Sequence, residues 1–192
     1  MPRWDAQTEE RLRTAAIELF LELGYENVTV AQIDDRAGLT RRTFSRYFAD
    51  KRDVLFAGSD RLPGLLAEAL SRVDPQLPSF EALVTALADV GTVLGTQVVQ
   101  HAAQRREIIA ASPELQERGR TKFAAVADAL AAQLVQRGSE PASATLLADI
   151  GVAIFRAGLS RWAENPASND LAACLREVGA ELAGVVETFS PA

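Results

Sequence analysis

At 192 residues, with 48% hydrophobic and 24% charged side chains, the chain has the composition of one or two globular domains, which excludes a disordered or fibrous protein. Its 26 acidic residues outweigh 20 basic ones for a formal charge of −6, so any contact with nucleic acid phosphate requires a local reversal of charge. One cysteine, Cys174, excludes an intramolecular disulfide, and one histidine, His101, removes most metal-site and His-based catalytic arrangements.

The chain starts with charged residues (Arg3, Asp5, Glu9, Glu10) and no apolar run, and no window approaches the roughly 18 apolar residues of a membrane span. A cytoplasmic protein without a membrane partner is expected. Leu12, Ala16, Leu19, Phe20 and Leu23 recur at helical spacing and predict an amphipathic helix over Thr8 to Leu23, ended by Gly24. Thr29 then stands as an N-cap, with Gln32 in capping-box register, for a short helix over Val30 to Ala37. Gly38 breaks it, and Thr40 caps a helix over Arg41 to Tyr47. The pattern is a helix-turn-helix.

From Lys51 a longer helix, interrupted near Pro63 and Gly64, is expected to reach Arg72, and Pro75 and Pro78 mark a linker over Asp74 to Ser79. Four helices follow, over Phe80 to Ala111, Pro113 to Arg137, Pro141 to Glu164 and Asn169 to Phe189. The chain is therefore expected to be all-α, with a DNA-binding head at 1–50, a connecting helix and linker at 51–78, and an effector-binding and dimerisation domain at 79–192. The last two helices carry wide apolar faces, including Leu146, Ile154, Val178 and Leu182. They predict a homodimer closed by a four-helix bundle.

Between Arg36 and Arg52 six basic residues (Arg36, Arg41, Arg42, Arg46, Lys51 and Arg52) face one acid, Asp50, for a local charge of +5 within the acidic chain. On a helical wheel Phe44 and Phe48 share a face, which leaves Arg42, Ser45 and Arg46 on other sides. Arginine grips a guanine edge bidentately, and the hydroxyls of Thr43 and Ser45 suit bases or phosphates. The alternative for such a patch is a solvated basic face. Thr29 and Lys51 are expected to open helices whose free N–H groups favour phosphate, or else simply to cap them. Tyr47 either finishes the small core or aims its hydroxyl at a phosphate.

The runs Thr14 to Phe20, Gly24 to Val30, Ala37 to Thr40 and Thr43 to Lys51 resemble the signature of the TetR family of regulators. That resemblance implies a dimeric repressor of operator DNA controlled by a small-molecule effector. It also implies that Thr29, Tyr47 and Lys51 clamp phosphates while Arg41, Arg42, Thr43 and Ser45 read bases. Two positions depart from the usual pattern: Asp34 stands where a small residue is usual, and Ser45 where an aromatic is common. The stretches Arg105 to Gln116 and Arg161 to Pro166 are similar to the ligand-binding region of mycofactocin-type regulators in the family, associated with acyl-CoA-like effectors.

His101 and Arg105, four residues apart, are expected to share a helix face and meet a polar or anionic ligand group, with Phe123, Phe155 and Trp162 lining an apolar pocket. The alternative, and for such residues the commoner one, is core, interface or solvated surface. Cys174 fits a small buried hydrophobe better than a redox sensor. No glycine-rich phosphate loop, metal-ligand spacing or catalytic triad is present, so neither an enzyme nor a cofactor is expected. The other rival is a helical interaction module that has lost DNA binding.

Overall fold

The computed structural model describes residues 3–56, 59–98 and 101–188. Among these it contains ten α-helices and no strand: α1 (Arg3–Leu23), α2 (Val30–Ala37), α3 (Arg41–Tyr47), α4 (Asp53–Phe56), α5 (Leu62–Arg72), α6 (Ser79–Val98), α7 (Ala102–Ala111), α8 (Pro113–Gln136), α9 (Pro141–Glu164) and α10 (Leu171–Thr188). The all-α expectation holds. Phe189, the expected last residue of the final helix, lies outside the described residues.

Several boundaries differ from the sequence expectation, among them the start of α1 at Arg3 instead of Thr8. The helix expected from Lys51 is divided into α4 and α5, and Pro63 stands in the first turn of α5 rather than interrupting a helix. Proline is well placed there because its missing N–H would have had no helical acceptor. The helix expected over Phe80 to Ala111 is two helices, with His101 between them at a φ of 64°. No glycine or proline announces that break. The long apolar helix α9 also meets the length and composition expected of a membrane span, contrary to the sequence reading. Its Ala144, Ala148, Gly151, Ile154, Phe155, Gly158 and Trp162 are buried in a protein core, which takes up about a third of the apolar stretch.

The chain forms two compact units, and they do not follow it linearly. The first joins Met1–Asp60 to Ala103–Gly119, and the second joins Arg61–Ala102 to Arg120–Ala192. In the first, Leu12, Ile17 and Phe20 of α1, Ile33 of α2, Phe44 of α3, and Val54 and Leu55 of α4 pack with Ile108 and Leu115. The elbow between α7 and α8 is therefore built into the core of the head. Arg118 pairs with Asp53 at 2.6 Å, Arg52 with Glu114 at 3.1 Å, and the buried Ser112 hydroxyl donates to Glu26 at 3.0 Å.

The second unit packs α5, α6, α9, α10 and the later part of α8 around Leu83, Leu87, Leu130, Phe155, Trp162 and Leu175. Arg137 donates to the carbonyls of Val73 (2.9 Å) and Asp74 (2.8 Å), satisfying acceptors left over at the end of α5. Leu175 is fully buried between two glycines, because a Cβ at Gly91 or at Gly158 would lie 2.7 Å from its side chain. At Gly158 the backbone Cα of Leu175 is also only 3.2 Å away, so moving the end of the Leu175 side chain does not by itself relieve the crowding. Gly158→Ala is expected to cost about 1–3 kcal/mol by overpacking, read as a lower urea midpoint at unchanged slope.

Candidate nucleic-acid interface

The helix-turn-helix is held by local chemistry at each joint. The Thr29 hydroxyl accepts from the Gln32 amide at 3.3 Å while the Gln32 side chain accepts from the Thr29 amide at 2.8 Å, a closed capping box. Gly38 ends α2 in the left-handed region, φ 63° and ψ 39°, where a side chain would be strained. Arg11 of α1 reaches the Ala37 carbonyl at 2.5 Å and fixes this turn against the first helix. Thr40 occupies the N-cap position of α3 with extended backbone, but its hydroxyl meets that of Thr43 at 3.1 Å instead of a backbone amide.

On α3 the aromatic face turns inward, as its periodicity predicts. Phe44 and Phe48 are 1% and 3% exposed, with ring centroids 5.4 Å apart. Arg42, Ser45 and Arg46 are exposed, and Thr43 and Tyr47 are half-buried. The side chain of Arg41 lies outside the described ones. Arg46 lies over the Tyr47 ring at 4.9 Å from its centroid and donates to the Tyr47 hydroxyl at 2.5 Å, so the two side chains form one polar edge.

The +5 window is less basic in space than along the chain. Arg36 pairs with Glu18 at 3.4 Å and Glu22 at 2.7 Å, and its hydrogen bond holds the Glu22 carboxyl below the usual range. Arg52 pairs with Asp50 and Glu114. Burial alone would raise the Asp50 carboxyl, but hydrogen bonds from Arg52 and from the Asp53 amide outweigh it and hold it low. Two of the window's six basic residues are thereby paired with acids.

Lys51 does not open a helix, since α4 starts at Asp53. Its ammonium donates to the carbonyls of Tyr25 (2.8 Å), Val28 (3.0 Å) and Glu26 (3.4 Å) and sits 4.2 Å from the Tyr25 ring centroid. The side chain holds the turn that precedes α2. Nothing in sequence spacing signals this role, because the partners lie 23 to 26 residues away. Asp34, the departure from the usual small residue, is buried at 2% exposure, and Arg36 donates to Glu18 and Glu22 of α1.

The five effector candidates are divided between the two units. His101 precedes α7 rather than sharing its face with Arg105, and Arg105 belongs to the first unit. Phe123, Phe155 and Trp162 belong to the second unit, where Phe123 and Phe155 meet edge to face at 6.3 Å and Trp162 is a core residue at 2% exposure. A groove of about 360 Å³ runs along α6 and α10, lined by Phe80, Val84, Ala88, Arg176, Gly179 and Ala183 among others, with none of the five. Cys174 is buried, and burial followed by the charge of Glu177 raises its thiol pKa, which suits a packing role. Among the described residues no group of three or more His, Cys, Asp or Glu could hold a metal ion.

Residues 12–57 match the model of bacterial regulatory proteins of the tetR family, and residues 77–187 match the MftR C-terminal domain. The protein named mycofactocin biosynthesis transcriptional regulator MftR, from Mycobacterium tuberculosis, is 29% identical over 130 residues, which are 68% of this chain. The match spans 65% of that relative, under two-thirds of its length. A TetR-family structure from Syntrophomonas wolfei superposes with a TM-score of 0.61 at 15% identity, covering 96% of this chain and 97% of that one. The regulator FadR of Bacillus subtilis, solved with stearoyl-CoA, gives 0.56 at 20% identity, covering 90% and 96%. The two family models meet on one chain with a helix-turn-helix followed by a larger helical unit, and the protein belongs to the TetR family of bacterial regulatory proteins, with a C-terminal domain of the MftR type.

Proposed function

We propose that the protein is a sequence-specific transcriptional regulator that binds operator DNA as a cytoplasmic homodimer and is released by a small-molecule effector. The observation that carries this reading is the division of α3 into two faces. Phe44 and Phe48 anchor it in the core, while Arg42, Ser45 and Arg46 are exposed with Thr43 beside them, at the position where a recognition helix meets the major groove. Thr29 and Tyr47 are the phosphate contacts of this reading, and Arg41 joins the base readers by its place at the start of α3. Capture of genomic fragments by the purified protein tests the reading. A short, two-fold symmetric motif shared by the captured fragments is expected; capture without a common sequence contradicts it.

What α9 leaves uncovered supports the homodimer. Val178 and Leu182, which the sequence placed at the dimer seam, pack against the core of their own unit. Leu146, at 62% exposure, and the exposed Ala153 and Ala157 instead form a stripe on α9 at helical spacing. Small residues there allow the close approach of a helix from a second copy. Leu146→Glu with Ala157→Glu is expected to give a folded monomer in sedimentation at micromolar concentration, where the parent protein is a dimer. Unchanged sedimentation of the double variant rejects this seam.

An acyl-type or other hydrophobic effector is the class to test first, because MftR-type regulators supply the C-terminal likeness and a protein of the same fold was solved with stearoyl-CoA. Release requires the ligand to prefer the conformation that does not bind DNA, since equal affinity for both shifts nothing.

A further inference from the structure

We infer that Arg105 is the seat of an anionic group on the effector, a carboxylate or phosphate ester gripped by a guanidinium in the first unit. The inference rests on the reading that a small molecule controls the protein. Arg105 lies on α7, within the segment Ala103–Gly119 that packs into the core of the head. Its Nε has no access to solvent and no hydrogen-bond partner. Glu9 and Glu10 of α1 are held by Arg13, at 2.6 and 3.4 Å, and not by Arg105. Burial, followed by the like charge of Arg13, pushes the Arg105 guanidinium down to about 10.

The side chain as a whole is only partly buried, but its Nε is shut off from water, and a guanidinium donor held there without a counter-charge is unfavourable. The unmet donor of Arg105 calls for an acceptor, and the neighbouring Arg13 makes an anion the acceptor that gains most. The planar fork of arginine fits a carboxylate or a phosphate in two parallel hydrogen bonds, which a lone ammonium cannot offer. The seat also has a route to the DNA-binding head. Ile108, one turn further along α7, and Leu115 of α8 lie in one core with Phe44, and Ser112, Glu114 and Arg118 tie the elbow to Glu26, Arg52 and Asp53.

The test follows thermal unfolding of the full chain with octanoate, octyl phosphate, inorganic phosphate or octanol, for the parent protein and for Arg105→Met and Arg105→Lys. The parent midpoint is expected to rise with octanoate or with one of the phosphates, and not with octanol at the same concentration. Which anion acts separates a carboxylate seat from a phosphate seat. The concentration for half the effect is expected to increase roughly ten- to a hundredfold in Arg105→Met and less in Arg105→Lys. Ligand-free Arg105→Met is expected to melt no lower than the parent, because it removes an unpaired charge instead of orphaning a partner. An equal rise in Arg105→Met, an equal rise with octanol, or no rise with any anion overturns the seat. Operator release by the same compounds separates the two readings: release of both proteins alike by octanol leaves effector control standing without the seat, and a parent protein released by no small molecule removes both.

Discussion

Arg42→Ala is expected to weaken operator binding by about 1–3 kcal/mol, roughly five- to 150-fold, and to relax base preference at one position in each half-site. Arg42 is exposed on α3, one turn before Arg46 and on the side away from Phe44 and Phe48. Its removal leaves the head's core untouched, so the melting temperature is expected to hold within a degree or two. Direct base readout carries sequence information, whereas a phosphate contact changes affinity for all sequences together and lowers the salt slope by about one unit. Competition between the operator and single-base variants, measured on both proteins, distinguishes the two. A variant that loses equal affinity for every duplex assigns Arg42 to the backbone, and one that loses none removes α3 from the interface.

Lys51→Met is expected to act on the fold of the head first. Three carbonyls, those of Tyr25, Glu26 and Val28, converge on its ammonium above the Tyr25 ring. Tyr25 is buried and meets Phe20 edge to face at 5.2 Å, so the latch supports the packing of α1 against the turn that leads into the capping box of α2. Methionine keeps most of the apolar stem but ends one atom short in a methyl, and it leaves the three acceptors without their donor. The expected loss is about 2–3 kcal/mol, seen as a lower unfolding midpoint and faster amide exchange in α1 and α2. The family resemblance assigns Lys51 to a phosphate, and that role makes a different forecast: unchanged stability, with uniformly weaker DNA binding and a flatter salt dependence.

Helix punctuation was legible from the sequence wherever the cause is local. The capping box of Thr29 and Gln32, the left-handed Gly38 and the shared face of Phe44 and Phe48 each follow from neighbours within four residues. The break at His101 was not, because a non-glycine residue there adopts a positive φ without a proline or glycine beside it. Nor was the sharing of α7 and the start of α8 with the head, which depends on Ile108 and Leu115 packing with residues more than fifty positions away. Charge counting placed the basic window correctly, but it did not show that Arg36 and Arg52 are paired with acids from other helices. The effector residues were the least legible, since an apolar helical periodicity is the same for a core as for a pocket lining. Phe155 and Trp162 are core residues of the second unit, and Arg105 belongs to the first.

The most direct test of the DNA-binding account is an equilibrium titration of the parent protein against a captured genomic fragment and a shuffled duplex of equal length and composition, each at two salt concentrations. The account predicts binding to the captured fragment at least about a thousandfold tighter than to the shuffled one, with both affinities falling steeply as salt rises. Equal affinity for the two duplexes at low salt, or no binding to either, contradicts it.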